Sequence, residues 1–171
     1  GLKEEIGPRR VANIEGMRVL NSVGPVVFSA IVTAENTKEL VKLKPPKDAM
    51  SVLYGLEEKK MVAVGGLIVD TKDAPGGNSH LNMYAMNNGI TVLALPELRT
   101  KYADLLKNAA NEGGLYVDDS NGEFQMMTVE YAKEQGIITD ADLPNLRPGT
   151  NKNISYLKSK GLQDGFEVVG R

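Results

Sequence analysis

The chain has no cysteine, no tryptophan and a single histidine in 171 residues, and these absences remove whole classes of chemistry. Without cysteine there is no disulfide, no thiol nucleophile and no cysteine-bound zinc. A zinc site would have to rest on carboxylates, so no transition-metal centre is expected. Charge is close to balanced, with a formal net value of −2 at pH 7, which provides no basic field for nucleic acid and none of the imbalance of a disordered chain. No apolar run approaches the ~20 residues of a membrane span, and Gly1-Leu2-Lys3-Glu4-Glu5 has neither signal nor transit character. The chain is therefore expected to be soluble and cytoplasmic, with no nucleic-acid or membrane partner. Beginning at Gly1, it is read as a processed product or as a piece of a longer protein.

The length suits one domain with a real core. Residues 1–16 are polar, contain Gly7-Pro8-Arg9-Arg10, and read as a lead-in segment. Pro25 to Val32 is rich in β-branched residues and reads as a strand, followed by a helix from Thr33 to Lys44 that Pro45-Pro46 stops. Met61 to Val69 is almost continuously apolar, as in a strand buried on both faces, with Gly65-Gly66 marking a bend. A further strand is expected over Ile90 to Leu95, then a helix from Pro96 to Asn111 with Gly113-Gly114 beyond its end. Leu115-Tyr116-Val117 and Phe124 to Met127 flank Asn121-Gly122, a hairpin signal. Val129 to Gln135 reads as a short helix and Thr139 to Asp142 as the start of another. This order predicts a mixed α/β domain over residues 17–130 with few helices, and a C-terminal extension over 131–171.

The most informative stretch runs from Asp73 to Ile90 and holds the only histidine. Gly76 and Gly77 permit positive φ and leave no Cβ in the way, so backbone N–H groups can converge on a ligand. Asn78 and Ser79 are preferred N-cap residues, the stretch Leu81 to Asn88 is free of proline and glycine, and Gly89 closes it. His80 then falls in the first helical turn, where unpaired N–H groups and the helix dipole favour an anion. An imidazole with a reference pKa of about 6.5 is a competent nucleophile near neutral pH. The local chemistry thus points to His80 accepting and donating a phosphoryl group; on the carrier reading that the resemblance below implies, Gly76, Gly77, Asn78 and Ser79 would be donors to its oxygens and Asp73, Asn82 and Tyr84 candidates for orientation or support, Tyr84 being equally a plain core aromatic. The plainer reading is a surface or capping histidine beside a turn. Of Asp70 and Asp73, one is expected to cap the loop. Lys38, Lys42, Lys44 and Lys47 read as a solvated face, and Asp118 to Glu123 as a solvated hairpin rather than a calcium loop.

The same stretch resembles the phosphohistidine, or swivelling, domain of the phosphoenolpyruvate-utilising enzymes, the group of pyruvate phosphate dikinase, phosphoenolpyruvate synthase and the glucan water dikinases. Ser79 before the histidine, with Ala85, Gly89 and Ile90 after it, fills the family's places, and Thr91 to Pro96 resembles the buried strand that follows. Asn82 and Asn87 look like the variant of bacterial members that read Ser-His-x-Asn. Met86 stands where the family commonly has arginine, Thr91 replaces a proline, and the glycine pair lies one position closer to the histidine. The resemblance is closest over residues 62–96. It implies a β/β/α swivelling-type domain over 17–130 that binds no cofactor itself. It further implies ATP- or phosphoenolpyruvate-dependent transfer in the full enzyme, with magnesium arriving with the nucleotide, and as partners an ATP-binding domain and an acceptor domain of the parent chain or another subunit. No P-loop pattern is present, so the domain is not expected to use ATP alone. Two other readings remain: a non-catalytic swivelling domain acting as an interaction module, and a domain that binds a free anion at the glycine turn.

Overall fold

The computed structural model describes residues 3–57, 63–120 and 123–149. The chain weaves between two five-stranded sheets. β1 (Glu5–Ile6) and β2 (Arg10–Ala12) belong to the first, β3 (Arg18–Asn21) to the second, β4 (Val26–Phe28) to the first again. β5 (Ala30–Ala34), β6 (Ala49–Leu53), β7 (Gly66–Asp70) and β8 (Thr91–Leu95) build the second sheet, and the hairpin β9 (Leu115–Asp118) and β10 (Gln125–Thr128) completes the first. The first sheet has the order β1-β2-β10-β9-β4 and is antiparallel throughout. The second has the order β3-β8-β7-β6-β5, its last four strands parallel and β3 antiparallel on the edge beside β8.

Three apolar clusters define the layers. Val11, Val26, Phe28, Met50, Ile68, Leu93, Leu115 and Met126 meet between the sheets. Helices α3 (Leu98–Lys101) and α4 (Ala103–Asn111) add Leu98, Tyr102, Leu105, Leu106 and Ala109 to that core and touch both sheets. Helices α1 (Thr37–Leu43) and α2 (His80–Asn88) cover the outer face of the second sheet through Leu40, Leu81 and Ala85. Helices α5 (Val129–Glu134) and α6 (Leu143–Leu146) cover the outer face of the first through Val129, Ala132 and Leu146. The fold is mixed α/β, as expected, with six short α-helices among the described residues. Its layering is fuller than β/β/α, because helices lie on both outer faces.

Several elements differ from the sequence reading. The single strand expected over Pro25–Val32 is two strands in different sheets, parted at Ser29, whose N–H donates to the Asp48 carbonyl at 2.9 Å. The first helix starts at Thr37 rather than Thr33, because Asn36 caps it by accepting from the Glu39 N–H. β7 begins only at Gly66, and Met61 and Val62 of the expected run lie outside the described residues, as does the Asn121-Gly122 turn. The helix expected from Pro96 starts at Leu98, whose N–H is accepted by Asp70, and breaks at the buried Tyr102, which leaves the helical region at φ −115°, ψ 7°. The predicted helices near 129–135 and 139–142 are present, the second as a 3-10 turn with a capping box before α6.

Residues 5–12, read as lead-in, instead form β1 and β2, with Val11 wholly buried. Arg9 fastens this region to segments more than a hundred positions away. Its Nε donates to Glu112 at 2.8 Å, its Nη1 and Nη2 reach both oxygens of Glu134, and Thr128 shares Glu112 at 2.8 Å. The Arg9 hydrogen bonds hold the Glu134 carboxyl below its ordinary value of 4.5. A carboxylate with a depressed folded-state pKa stabilises above its unfolded pKa and loses that contribution as pH falls through the folded one. The difference in urea midpoint between wild type and Arg9→Gln is therefore expected to be modest, present above about pH 5, and to narrow below about pH 4. A pH-independent difference would show that Arg9 acts by packing on Tyr131, 5.1 Å away, alone.

Candidate functional site

The site grows from the end of β7. Asp70 accepts from the N–H of Lys72 at 3.0 Å and so caps the 3-10 turn Thr71–Asp73, while its other oxygen holds the Leu98 N–H at 3.1 Å. Asp70 is thus the capping member of the aspartate pair. Asp73, half-buried, makes no hydrogen bond or ion pair among the described residues. Ala74 and Pro75 then lead to the glycine pair, and the Ser79 N–H closes the turn on the Gly76 carbonyl at 3.2 Å.

α2 begins where the sequence places it. Ser79 is the N-cap, its hydroxyl accepting from the Asn82 N–H at 3.1 Å, and Gly89 ends the helix in the left-handed region at φ 61°. His80 is the first helical residue. Its side chain is exposed and has no hydrogen-bond or ion-pair partner among the described residues. The N–H groups of His80 and Leu81 donate no hydrogen bond among the described residues, and the first turn carries no acidic side chain. His80 is therefore exposed at the start of a nine-residue helix whose first two N–H groups make no hydrogen bond among the described residues.

Gly76 and Gly77 are exposed, but neither has the positive φ their pairing permits, and a Cβ on Gly76 would meet nothing within 4 Å. The fold itself makes no demand for glycine there. Asn78 is exposed and Ser79 buried. Asn82 is buried under the turn, its Nδ2 donating to the Gly77 carbonyl at 2.9 Å and to Gly76 at 3.4 Å. It is a positioning group for the glycine pair. Tyr84 packs against the apolar cluster under α2 and borders a cavity of about 270 Å³ with Lys47, Val64, Gly65, Asn88 and Ile90, at the opposite end of the helix. His80 does not line that cavity. Met86 is exposed and contributes no charge.

One contact beside the turn has no local signature in the sequence. Arg18 of β3 donates from Nη2 to the Pro75 carbonyl at 2.8 Å, immediately before the glycine pair. Sequence gave no signal for it, because the contact spans more than fifty positions and depends on β3 pairing with β8. Elsewhere, Asp118 is spent on the N–H and hydroxyl of Ser120, and Asp119 accepts from Ser22. Among the described residues no group of three or more His, Cys, Asp or Glu side chains is placed to hold a metal ion, and no helix is long and apolar enough to cross a membrane. No protein-family model, curated protein or solved structure matches the chain.

Proposed function

We propose that the chain is a phosphoryl-carrier domain of a dikinase-type phosphotransferase of the phosphoenolpyruvate-utilising kind, working in the cytoplasm. The observation that carries this reading is His80: exposed, first in a capped helix, without a side-chain partner among the described residues, and preceded by a turn in which the N–H groups of Gly76, Gly77 and Asn78 make no hydrogen bond among the described residues. In the reaction a neutral imidazole nitrogen attacks phosphorus of the donor, the P–O bond breaks, and the leaving group departs with its electron pair. The acceptor oxygen then attacks, the P–N bond breaks, and the acceptor's proton is released as the imidazole returns to its neutral form. The free N–H groups of the first turn and the glycine pair stabilise charge on the phosphoryl oxygens in both steps. ATP and magnesium belong to a separate ATP-binding domain, and the acceptor to a third.

The test is intact mass after incubating the parent protein with magnesium-ATP and, separately, the chain with phosphoenolpyruvate. One acid-labile phosphoryl group on wild type and none on His80→Ala is the expected result. No adduct under either donor would overturn carriage and favour a domain that binds a free anion. His80→Gln, which keeps a hydrogen-bond donor but forms no phosphohistidine, would retain binding in that case.

A further inference from the structure

The cavity at the foot of α2 lies apart from the His80 turn. Val64, Tyr84 and Ile90 of the apolar cluster under the helix line it, with Gly65, Pro148 and the exposed Lys47. These walls are held by the backbone. Gly65 approaches the Lys47 main chain too closely for any Cβ, Asn88 donates to the Tyr84 carbonyl at 2.9 Å, and Asn21 holds the Ile90 carbonyl at 2.8 Å. A dry apolar cavity of about 150 Å³ accepts benzene. At about 270 Å³ this one has room for a six-membered ring with a short substituent.

Charge narrows the choice of occupant. Lys47 is the one charged side chain among the described lining residues, and its ammonium makes no hydrogen bond or ion pair among the described residues. Asp48 beside it in sequence is already engaged, accepting from Ser29 and paired with Arg147 at 3.6 Å. Lys42 and Lys44, just upstream at the end of α1, are likewise exposed and without an ion pair among the described residues. An apolar recess with an uncompensated cation in its wall complements a small acid, whose body meets the walls and whose carboxylate meets the ammonium.

We propose that this cavity is a binding site for a small monocarboxylate with an apolar, ring-sized body, oriented by Lys47. The site is independent of the carrier reading, since His80 does not line the cavity.

The experiment titrates the isotopically labelled full chain with phenylacetate, following by NMR the backbone amides of Val64, Gly65, Asn88 and Ile90 and the methyl groups of Val64 and Ile90. Saturable shifts centred on these residues are expected. Toluene, the body without the charge, and acetate, the charge without the body, are each expected to bind about tenfold more weakly or worse. Lys47→Met keeps an unbranched apolar stem and removes the charge. It is expected to weaken phenylacetate about fivefold or more and to leave toluene unchanged, with melting curves confirming that the variant folds. A phenylacetate response that is absent, does not saturate, or is equal in wild type and Lys47→Met overturns the proposal. Toluene binding as tightly as phenylacetate also overturns it and makes the cavity a plain apolar void.

Discussion

Gly65→Ala is expected to destabilise the fold by about 3 kcal/mol or more, beyond the usual range for an overpacked side chain. A Cβ at Gly65 would stand 1.6 Å from the Lys47 carbonyl oxygen and 2.5 Å from its carbon. These are main-chain atoms, so no rotamer change relieves the overlap. The segment around Lys47 is itself fixed, with the Ala49 N–H bound to the Pro46 carbonyl at 3.1 Å and the Asp48 carbonyl holding Ser29 at 2.9 Å. Accommodation requires β6 or β7 to shift, and these are neighbouring strands in the middle of the second sheet. Chemical denaturation of Gly65→Ala beside Gly76→Ala checks the argument, since the second adds the same methyl group into open space and is expected to change stability by no more than about 0.5 kcal/mol. Similar midpoints for the two variants would contradict the close approach of the two segments.

The second large effect is at Phe28. Its ring is fully buried between the sheets, and two of its carbons lie 2.5 Å from where a Cβ on Gly66 would be, so that ring and glycine are fitted to each other. Phe28→Ala is expected to cost about 3–5 kcal/mol, the range for removing a buried aromatic ring, a large part of the roughly 5–15 kcal/mol that holds an ordinary domain folded. The fitted pair also predicts a non-additive cycle. Gly66→Ala alone drives a methyl group into the ring, whereas Phe28→Leu removes the two carbons it would strike. The double variant should therefore be more stable than the sum of the singles implies, by about 1 kcal/mol or more. Strict additivity in denaturation measurements would rule out this contact.

What the sequence disclosed about this fold follows from how local each signal is. α2 was legible from Ser79 to Gly89 because both caps are sequence-local, and the β9–β10 hairpin because its strands are adjacent in the chain. β6 was not seen: Ala49-Met50-Ser51-Val52-Leu53 has a single β-branched residue and no alternation, because all five residues are buried. β1 and β2 were masked by their charges, yet Arg9 and Arg10 face carboxylates supplied from elsewhere or from the neighbouring strand, Glu112 and Glu134 for one and Glu5 for the other. The site divides the same way. Gly76, Gly77, Ser79, His80 and Asn82 fall within seven consecutive residues at the turn and the start of α2 and are legible together, whereas the Arg18 bond to the Pro75 carbonyl depends on the pairing of β3 with β8.

The weave of the chain also constrains when the molecule can form. β2 and β4 are separated in the first sheet by the hairpin, which pairs β10 with β2 and β9 with β4. The two early strands therefore have no ladder partner between them until a segment about a hundred residues downstream has been made. During synthesis they wait with open edges while the parallel strands of the other sheet are still being delivered, and the sandwich shuts only when the hairpin slides in as a keystone. Sequence-distant pairing of this kind slows folding and leaves strand edges available to wrong partners in the interval. The fold is thus most vulnerable not in its finished state but in the time before residue 128 emerges.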